Sequence, residues 1–224
     1  MIAAIERPNG HRGAAGTNGS ARAAALVSTT TPPGRRATDS GFVKALLASV
    51  GTPAPASEVP PEAQRASLNR GLAVVGWPGC EAAQATLSLS SGAQVHVYLP
   101  ERAVRPPIVV YLHGGSFVAG GVEAHGATCR ALAEASRCAV ALVAYRLAPE
   151  HRAPAALDDA VAAVAQVRHQ ADALGIDGSR IALFGDSAGG ALAIQTAFRL
   201  RDAGQSVGLL AVPARRTSIG ANSA

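Results

Sequence analysis

The stretch Ile181-Ala-Leu-Phe-Gly-Asp-Ser187-Ala-Gly-Gly190 decides the fold, and an apolar-periodic segment, Ala191–Leu200, follows it. Four apolar residues lead directly into G-D-S-A-G, which predicts a strand, a sharp turn and a helix in immediate succession. Such a turn leaves little room two residues to either side of the serine, and Gly185 and Gly189 provide that room. The pattern predicts a nucleophile elbow with Ser187 as the reactive group, whereas a glycine-rich turn that merely contains a serine is the alternative.

A second glycine-rich motif, His113-Gly-Gly-Ser-Phe117, directly follows the apolar run Ile108–Leu112, which is typical of a strand buried on both faces. Backbone N–H groups can stabilise a developing oxyanion, and they are most accessible where no side chain covers them. Gly114, Gly115 and the residue after the serine, Ala188, are the predicted donors. The alternative is a loop that needs glycine for a positive φ.

Predicted strands and helices alternate through most of the chain. The strands are Ala85–Leu89, Ala93–Leu99, Ile108–Leu112, Ala139–Ala144, Ile181–Phe184 and the start of another at Val207–Val212. The helices are Glu62–Leu72, Gly126–Arg137, Ala155–Leu174 and the segment that follows the elbow and ends near Gly204. This alternation predicts an α/β fold with a mostly parallel sheet, helices on both faces and an antiparallel hairpin at one edge.

Charge is distributed unevenly along the chain. The net charge is +5, of which residues 1–44 carry +4, with six basic and two acidic residues. The remaining residues carry fourteen basic and thirteen acidic side chains and are nearly neutral. We therefore expect no nucleic-acid-binding face on the folded part.

The cysteines and the hydropathy pattern exclude several further classes of protein. Cys80, Cys129 and Cys138 are odd in number and lack metal-ligand spacing, so we expect reduced thiols, no metal and no cofactor. No segment approaches the roughly 20 apolar residues of a membrane span. The N-terminus has charged residues where a signal peptide would be apolar, which predicts a cytoplasmic protein.

H-G-G-S-F, Y-R-L-A-P-E-H and G-D-S-A-G-G, in this order, resemble the hormone-sensitive-lipase-like family of α/β-hydrolases in its bacterial carboxylesterase branch. The resemblance covers about residues 41–212 and implies hydrolysis of small acyl esters through an acyl-enzyme. It implies Ser187 as nucleophile, Gly114, Gly115 and Ala188 as oxyanion hole, His113 as support for the oxyanion loop, and Gly185, Asp186 and Gly189 as the elbow.

Two further features follow from this resemblance. Ser116 stands in place of a third glycine, which should be tolerated because the first two glycines carry the donors. The Y-R-L-A-P-E-H segment is implied to be a structural turn beside the oxyanion loop. Arg146, Glu150 and His151 are therefore expected to be structural rather than catalytic.

The sequence departs from the family after the nucleophile. In this fold an acid and then a histidine follow the serine along the chain. Here Asp202 is the only acid after Ser187, and all six histidines precede the serine. We expect each of these histidines to be structural or exposed rather than a displaced base.

These observations predict four segments. Residues 1–40 form a disordered basic leader, 41–75 a partial helical cap, 76–213 an incomplete α/β-hydrolase core, and 214–224 an unrelated tail. About six of eight family strands are expected, with the last strands missing, as a frameshift or premature stop would produce. The open sheet edge would then be an aggregation risk.

The sequence therefore predicts a carboxylic-ester hydrolase by descent that is weak or inactive, because the triad acid and histidine are absent. Two alternatives stay open. The chain could be a non-catalytic module that binds an acyl ligand, or a half-enzyme completed by a partner chain, including a dimer.

Overall fold

The computed structural model describes residues 58–73, 82–207 and 209–211. The predicted leader at 1–40, the first part of the predicted cap (residues 41–57) and the predicted tail at 214–224 lie outside these ranges.

Six strands form one sheet in the described part of the chain. They are β1 (Ala83–Ser88), β2 (Gln94–Leu99), β3 (Ile108–Leu112), β4 (Ala139–Ala144), β5 (Ile181–Gly185) and β6 (Leu209–Ala211). Their order in the sheet is β1-β2-β4-β3-β5-β6. β1, β2 and β4 pair antiparallel, whereas β4, β3, β5 and β6 pair parallel. The mostly parallel sheet with a hairpin at one edge is therefore confirmed.

The register of β3 and β5 brings the two glycine-rich motifs together. Leu112, the last residue of β3, pairs with Gly185, the last residue of β5. The strands are parallel, so the segments that follow them leave the same edge of the sheet at the same level. This edge is where ligands bind in open α/β sheets.

Five helices accompany the strands in the described ranges. They are α1 (Pro61–Ala73), α2 (Val122–Ser136), α3 (Ala155–His169), α4 (Ala171–Leu174) and α5 (Ala188–Asp202). The prediction of one continuous helix from Ala155 to Leu174 is wrong. Gln170 adopts φ −94° and ψ 7°, which is outside the helical conformation, and it separates α3 from α4. The predicted stop is confirmed, since Gly175 ends α4 with φ 69°.

The central strands β3 and β4 are buried on both faces, as their apolar runs predict. One face packs against α3 and α5, and the other against α2. β4 shows the alternation of a strand, because Ala141 and Val143 join the first core and Val140 and Leu142 join the second. Burying a Val or Leu side chain stabilises the fold by roughly 1.5–3 kcal/mol. The packing on both faces therefore holds these strands, and with them the loops that follow their ends, in place.

Candidate active site

Ser187 lies at the turn between β5 and α5. It adopts φ 52° and ψ −120°, a backbone conformation that residues other than glycine rarely take up. Its side chain is exposed and makes no hydrogen bond with any residue in the described ranges. The strained turn and the exposed hydroxyl match the predicted elbow.

The glycines on either side of Ser187 are required by close approach of the backbone. A Cβ atom at Gly189 would lie 2.6 Å from the carbonyl oxygen of His113, and one at Gly185 would lie 2.8 Å from the nitrogen of Gly190. Neither backbone group can move aside easily, so only glycine fits. The sequence predicted this need for room, and the structure shows that the crowding atoms belong to the backbone at the end of β3 and the start of α5.

The segment 113–121, called here the oxyanion loop, is joined to the elbow by a hydrogen bond. The Gly114 N–H donates to Oδ1 of Asp186 at 2.9 Å. This N–H is therefore engaged and cannot also donate to a substrate oxygen, in contrast to the role predicted for Gly114. The sequence gives no indication of this contact, because its partners are separated by 72 residues.

Three neighbouring N–H groups have no acceptor among the described residues, namely those of Gly115, Ser116 and Ala188. Gly115 adopts φ 124° and Ser116 adopts φ 55°. The strain at Ser116 is unusual for a serine, and it places this residue, rather than Gly114, beside Gly115 as a candidate donor. The reason given above for tolerating Ser116 is accordingly incorrect.

Asp186 connects the elbow to β3 as well as to the oxyanion loop. Its Oδ1 also accepts a hydrogen bond from the Tyr111 hydroxyl at 3.0 Å. Burial, and after it the negative charge of Asp186, raises the pKa of Tyr111, so the phenol stays protonated and able to donate. One carboxylate thereby fixes the spacing between the two glycine-rich motifs.

His113 is fully buried at the start of the oxyanion loop. Its ring stacks on Tyr145 at 4.2 Å between centroids and on His125 at 5.1 Å. Nδ1 lies 2.8 Å from the Gly114 carbonyl oxygen, so this nitrogen carries the proton. Burial lowers the pKa of His113 to about 4, which keeps the ring neutral. These contacts support its predicted role as a brace.

The Y-R-L-A-P-E-H segment, residues 145–151, packs beside the oxyanion loop. The Ala148 N–H donates to the Phe117 carbonyl at 2.8 Å, and the Tyr145 hydroxyl donates to the His113 carbonyl at 2.6 Å. Arg146 forms an ion pair at 2.9 Å with Asp159, whose side chain is only 1% exposed. These bonds are those of a structural turn.

Within the part of the chain that the structure describes, no histidine or carboxylate hydrogen-bonds to the Ser187 hydroxyl. Asp202, the only acid after the serine, pairs with Arg201 at 2.7 Å at the far end of α5. His96 lies within β2 near Thr86, and His169 contacts its neighbour Gln170. Within the described ranges, no cluster of three His, Cys, Asp or Glu side chains could hold a metal ion.

Comparison with known proteins supports this picture of the fold. Residues 109–220 match the alpha/beta hydrolase fold family. Esterase LipI of Mycobacterium tuberculosis is 48% identical over 105 residues, which are 47% of this chain and 32% of LipI. Ethyl acetate hydrolase of Pseudomonas putida is 45% identical over 104 residues, 42% of this chain and 33% of that protein.

A solved esterase structure has a similar fold. The hyperthermophilic esterase of Pyrobaculum calidifontis superimposes with a TM-score of 0.68 at 36% identity, covering 76% of this chain and 56% of the esterase. The chain belongs to the alpha/beta hydrolase fold family, and its relatives are consistent with the hormone-sensitive-lipase-like carboxylesterases. It spans about a third of the curated relatives and just over half of the solved structure.

The helices in the described ranges do not meet the requirements of a membrane span. None of them is both long enough and apolar enough to cross a bilayer.

Proposed function

We propose that this chain carries the nucleophile and the oxyanion hole of a carboxylic-ester hydrolase of the hormone-sensitive-lipase-like type, acting on small acyl esters. The observation that carries the proposal is the exposed Ser187 hydroxyl, which is held at the N-terminus of α5 next to N–H groups that have no acceptor among the described residues. The esterase activities of the relatives support the same reaction class.

In the proposed reaction, Oγ of Ser187 attacks the ester carbonyl carbon and the alcohol leaves, which produces an acyl-enzyme that water then hydrolyses. The N–H groups of Gly115, Ser116 and Ala188 would stabilise the oxyanion that forms on the carbonyl oxygen. The hydroxyl proton must pass to a base. No histidine in the described ranges hydrogen-bonds to Ser187, so the 224-residue chain alone should turn over slowly or not at all.

The test is labelling of the purified chain with a fluorophosphonate probe, with circular dichroism to verify folding. We expect weak labelling that Ser187→Ala abolishes. Ser206→Ala is the matched control, because Ser206 is an exposed serine well beyond the elbow. Labelling that persists in folded Ser187→Ala would contradict the proposal.

A half-enzyme completed by a second chain is the second candidate. The observation in its favour is that α5, which begins beside Ser187, also exposes Ile194 and Phe198. Esterase activity that appears only when a partner polypeptide is added would support it. Stoichiometric binding of an acyl ligand without turnover would instead support the non-catalytic binding module.

A further inference from the structure

The Arg65 side chain connects helix α1 to two loops at the edge of the candidate site. Its Nε donates to the Val118 carbonyl at 2.8 Å, and one of its terminal nitrogens donates to the Ala148 carbonyl at 3.2 Å. The guanidinium also binds both carboxylate oxygens of Glu150, at 3.0 and 2.7 Å. Arg65 therefore joins its own helix to both the oxyanion loop and the 145–151 segment.

The two carbonyls that Arg65 contacts lie next to an existing link between the loops. Ala148 N–H donates to the Phe117 carbonyl, and Val118 immediately follows Phe117. The guanidinium therefore closes the oxyanion loop against the 145–151 segment from outside. At its other end the same loop is held by the bond between Gly114 and Asp186. The free Gly115 and Ser116 N–H groups lie between these two attachments.

The chemistry of the contact requires arginine. A guanidinium presents five donors in a planar fork, which allows a bidentate carboxylate bond and carbonyl bonds at the same time. A lysine ammonium is a compact point charge and cannot reproduce this geometry.

The ion pair between Arg65 and Glu150 contributes too little to stability to explain why Arg65 is bonded to both loops. The Arg65 side chain is 29% exposed and that of Glu150 is 49% exposed, and pairs this open to solvent contribute only about 0–1 kcal/mol to stability. The structural consequence of Arg65 should therefore be local and lie in the position of the loop.

We propose that Arg65 is a positioning residue for the oxyanion loop. By holding the Val118 and Ala148 carbonyls, it keeps the Gly115–Ser116 backbone at a fixed distance from Ser187 and makes that geometry depend on helix α1. Its effect on catalysis rests on the function proposed above. Its effect on the loop does not, and the two can be tested separately.

The first test is hydrogen–deuterium exchange on the full 224-residue chain, read at the bonded amides of Val118, Ala119 and Ala148. We expect Arg65→Ala to speed exchange at these amides by about fivefold to tenfold. The Val118 and Ala148 carbonyls lose their Arg65 donors, so the two loops should open more often. Exchange at Gly175, whose N–H bonds to the Asp172 carbonyl ahead of the start of β5 and so at the opposite end of the strands, should stay unchanged. Arg70→Ala is the control, since Arg70 lies on the same helix, is exposed and has no hydrogen bond or ion pair with the described residues.

Glu150→Gln separates positioning from a simple surface ion pair. This variant removes the charge but leaves Arg65 able to donate to both carbonyls, so loop exchange should stay within about twofold of the unchanged chain. Equal effects of Glu150→Gln and Arg65→Ala would overturn the proposal. Unchanged exchange in Arg65→Ala would also overturn it.

Arg65→Lys keeps the proposal falsifiable if Arg65→Ala does not fold. One ammonium cannot reach both carbonyls and the carboxylate, so we expect loop exchange about threefold faster than in the unchanged chain. Exchange equal to that of the unchanged chain would overturn the proposal.

The catalytic consequence is read from fluorophosphonate labelling of Ser187. Arg65→Ala should lower the maximal labelling rate about tenfold and leave the concentration for half-maximal rate unchanged, because the Arg65 guanidinium is bonded to Val118, Ala148 and Glu150 rather than to Ser187. A changed half-saturation with an unchanged maximal rate would contradict the positioning role. If the unchanged chain does not label at all, the proposed function fails, while the exchange experiment still decides the role of Arg65.

Discussion

Asp186 shows at the scale of one residue how this site is built. Asp186 is the second residue of G-D-S-A-G and is adjacent to Ser187, but its carboxylate points toward the oxyanion loop and β3. It accepts from the Gly114 N–H at 2.9 Å and from the Tyr111 hydroxyl at 3.0 Å. Both donors are largely removed from water, so their satisfaction depends on this one acceptor.

We predict that Asp186→Ala lowers the free energy of unfolding by about 1–3 kcal/mol, because it leaves two buried donors without an acceptor. Asp186→Asn keeps one side-chain oxygen as an acceptor and should cost less. Urea denaturation of the three proteins, compared at the same pH, measures the difference. Equal stability of the Ala and Asn variants would show that the carboxylate is not the required acceptor.

Helix α5 serves two purposes at the scale of an element. Its N-terminus packs against the end of β3, with Gly189 at the closest backbone approach, and its first N–H, that of Ala188, has no acceptor among the described residues. Further along, it leaves Ile194 38% exposed and Phe198 53% exposed, one turn apart on the same side. Two large apolar side chains exposed side by side on a helix favour association with another protein surface.

We propose that copies of the chain associate through this side of α5, and we predict that Phe198→Ser reduces that association, because it removes the more exposed of the two apolar side chains. The stability of the fold should change by less than about 1 kcal/mol, since the ring is already half in water. Sedimentation velocity over a concentration series measures the association. Gln195→Ser, an exposed polar position on the same helix, is the control. Association that Phe198→Ser leaves unchanged would assign the contact to another surface, such as the sheet edge.

At the scale of the whole molecule, a buried aromatic stack couples folding to pH. His113 and His125 stack on each other between tyrosines, and burial lowers the pKa of both rings. In the unfolded chain these histidines take up protons near their ordinary pKa of about 6.5. The folded state keeps His113 neutral down to about pH 4. Acid therefore favours the unfolded chain.

We predict that the contribution of His113 to the free energy of unfolding is constant above about pH 6.5 and falls as the pH decreases toward 4, by roughly 3 kcal/mol. Denaturation with urea at a series of pH values in this window measures the slope. His169→Gln, at an exposed position, should show the same slope as the unchanged chain. A stability that does not change across this window would contradict the neutral buried state of His113.

The sequence predicted the elements well where one local pattern was sufficient. The limits of β3 and β4 agree with their apolar runs, and the elbow lies where G-D-S-A-G predicted it. Gln170 is an exception, because no local signal in the stretch from Ala155 to Leu174 marks the break between α3 and α4.

The sequence by itself determined the fold class and the strand, turn and helix around Ser187, since these depend on spacing within a few residues. Only the tertiary structure decided which N–H groups are free and what holds the oxyanion loop. Gly114 meets Asp186 across 72 residues, and Arg65 meets Val118 across 53. A hydrogen bond forms when folding brings a donor within about 3 Å of an acceptor, and no periodicity in the chain encodes that distance.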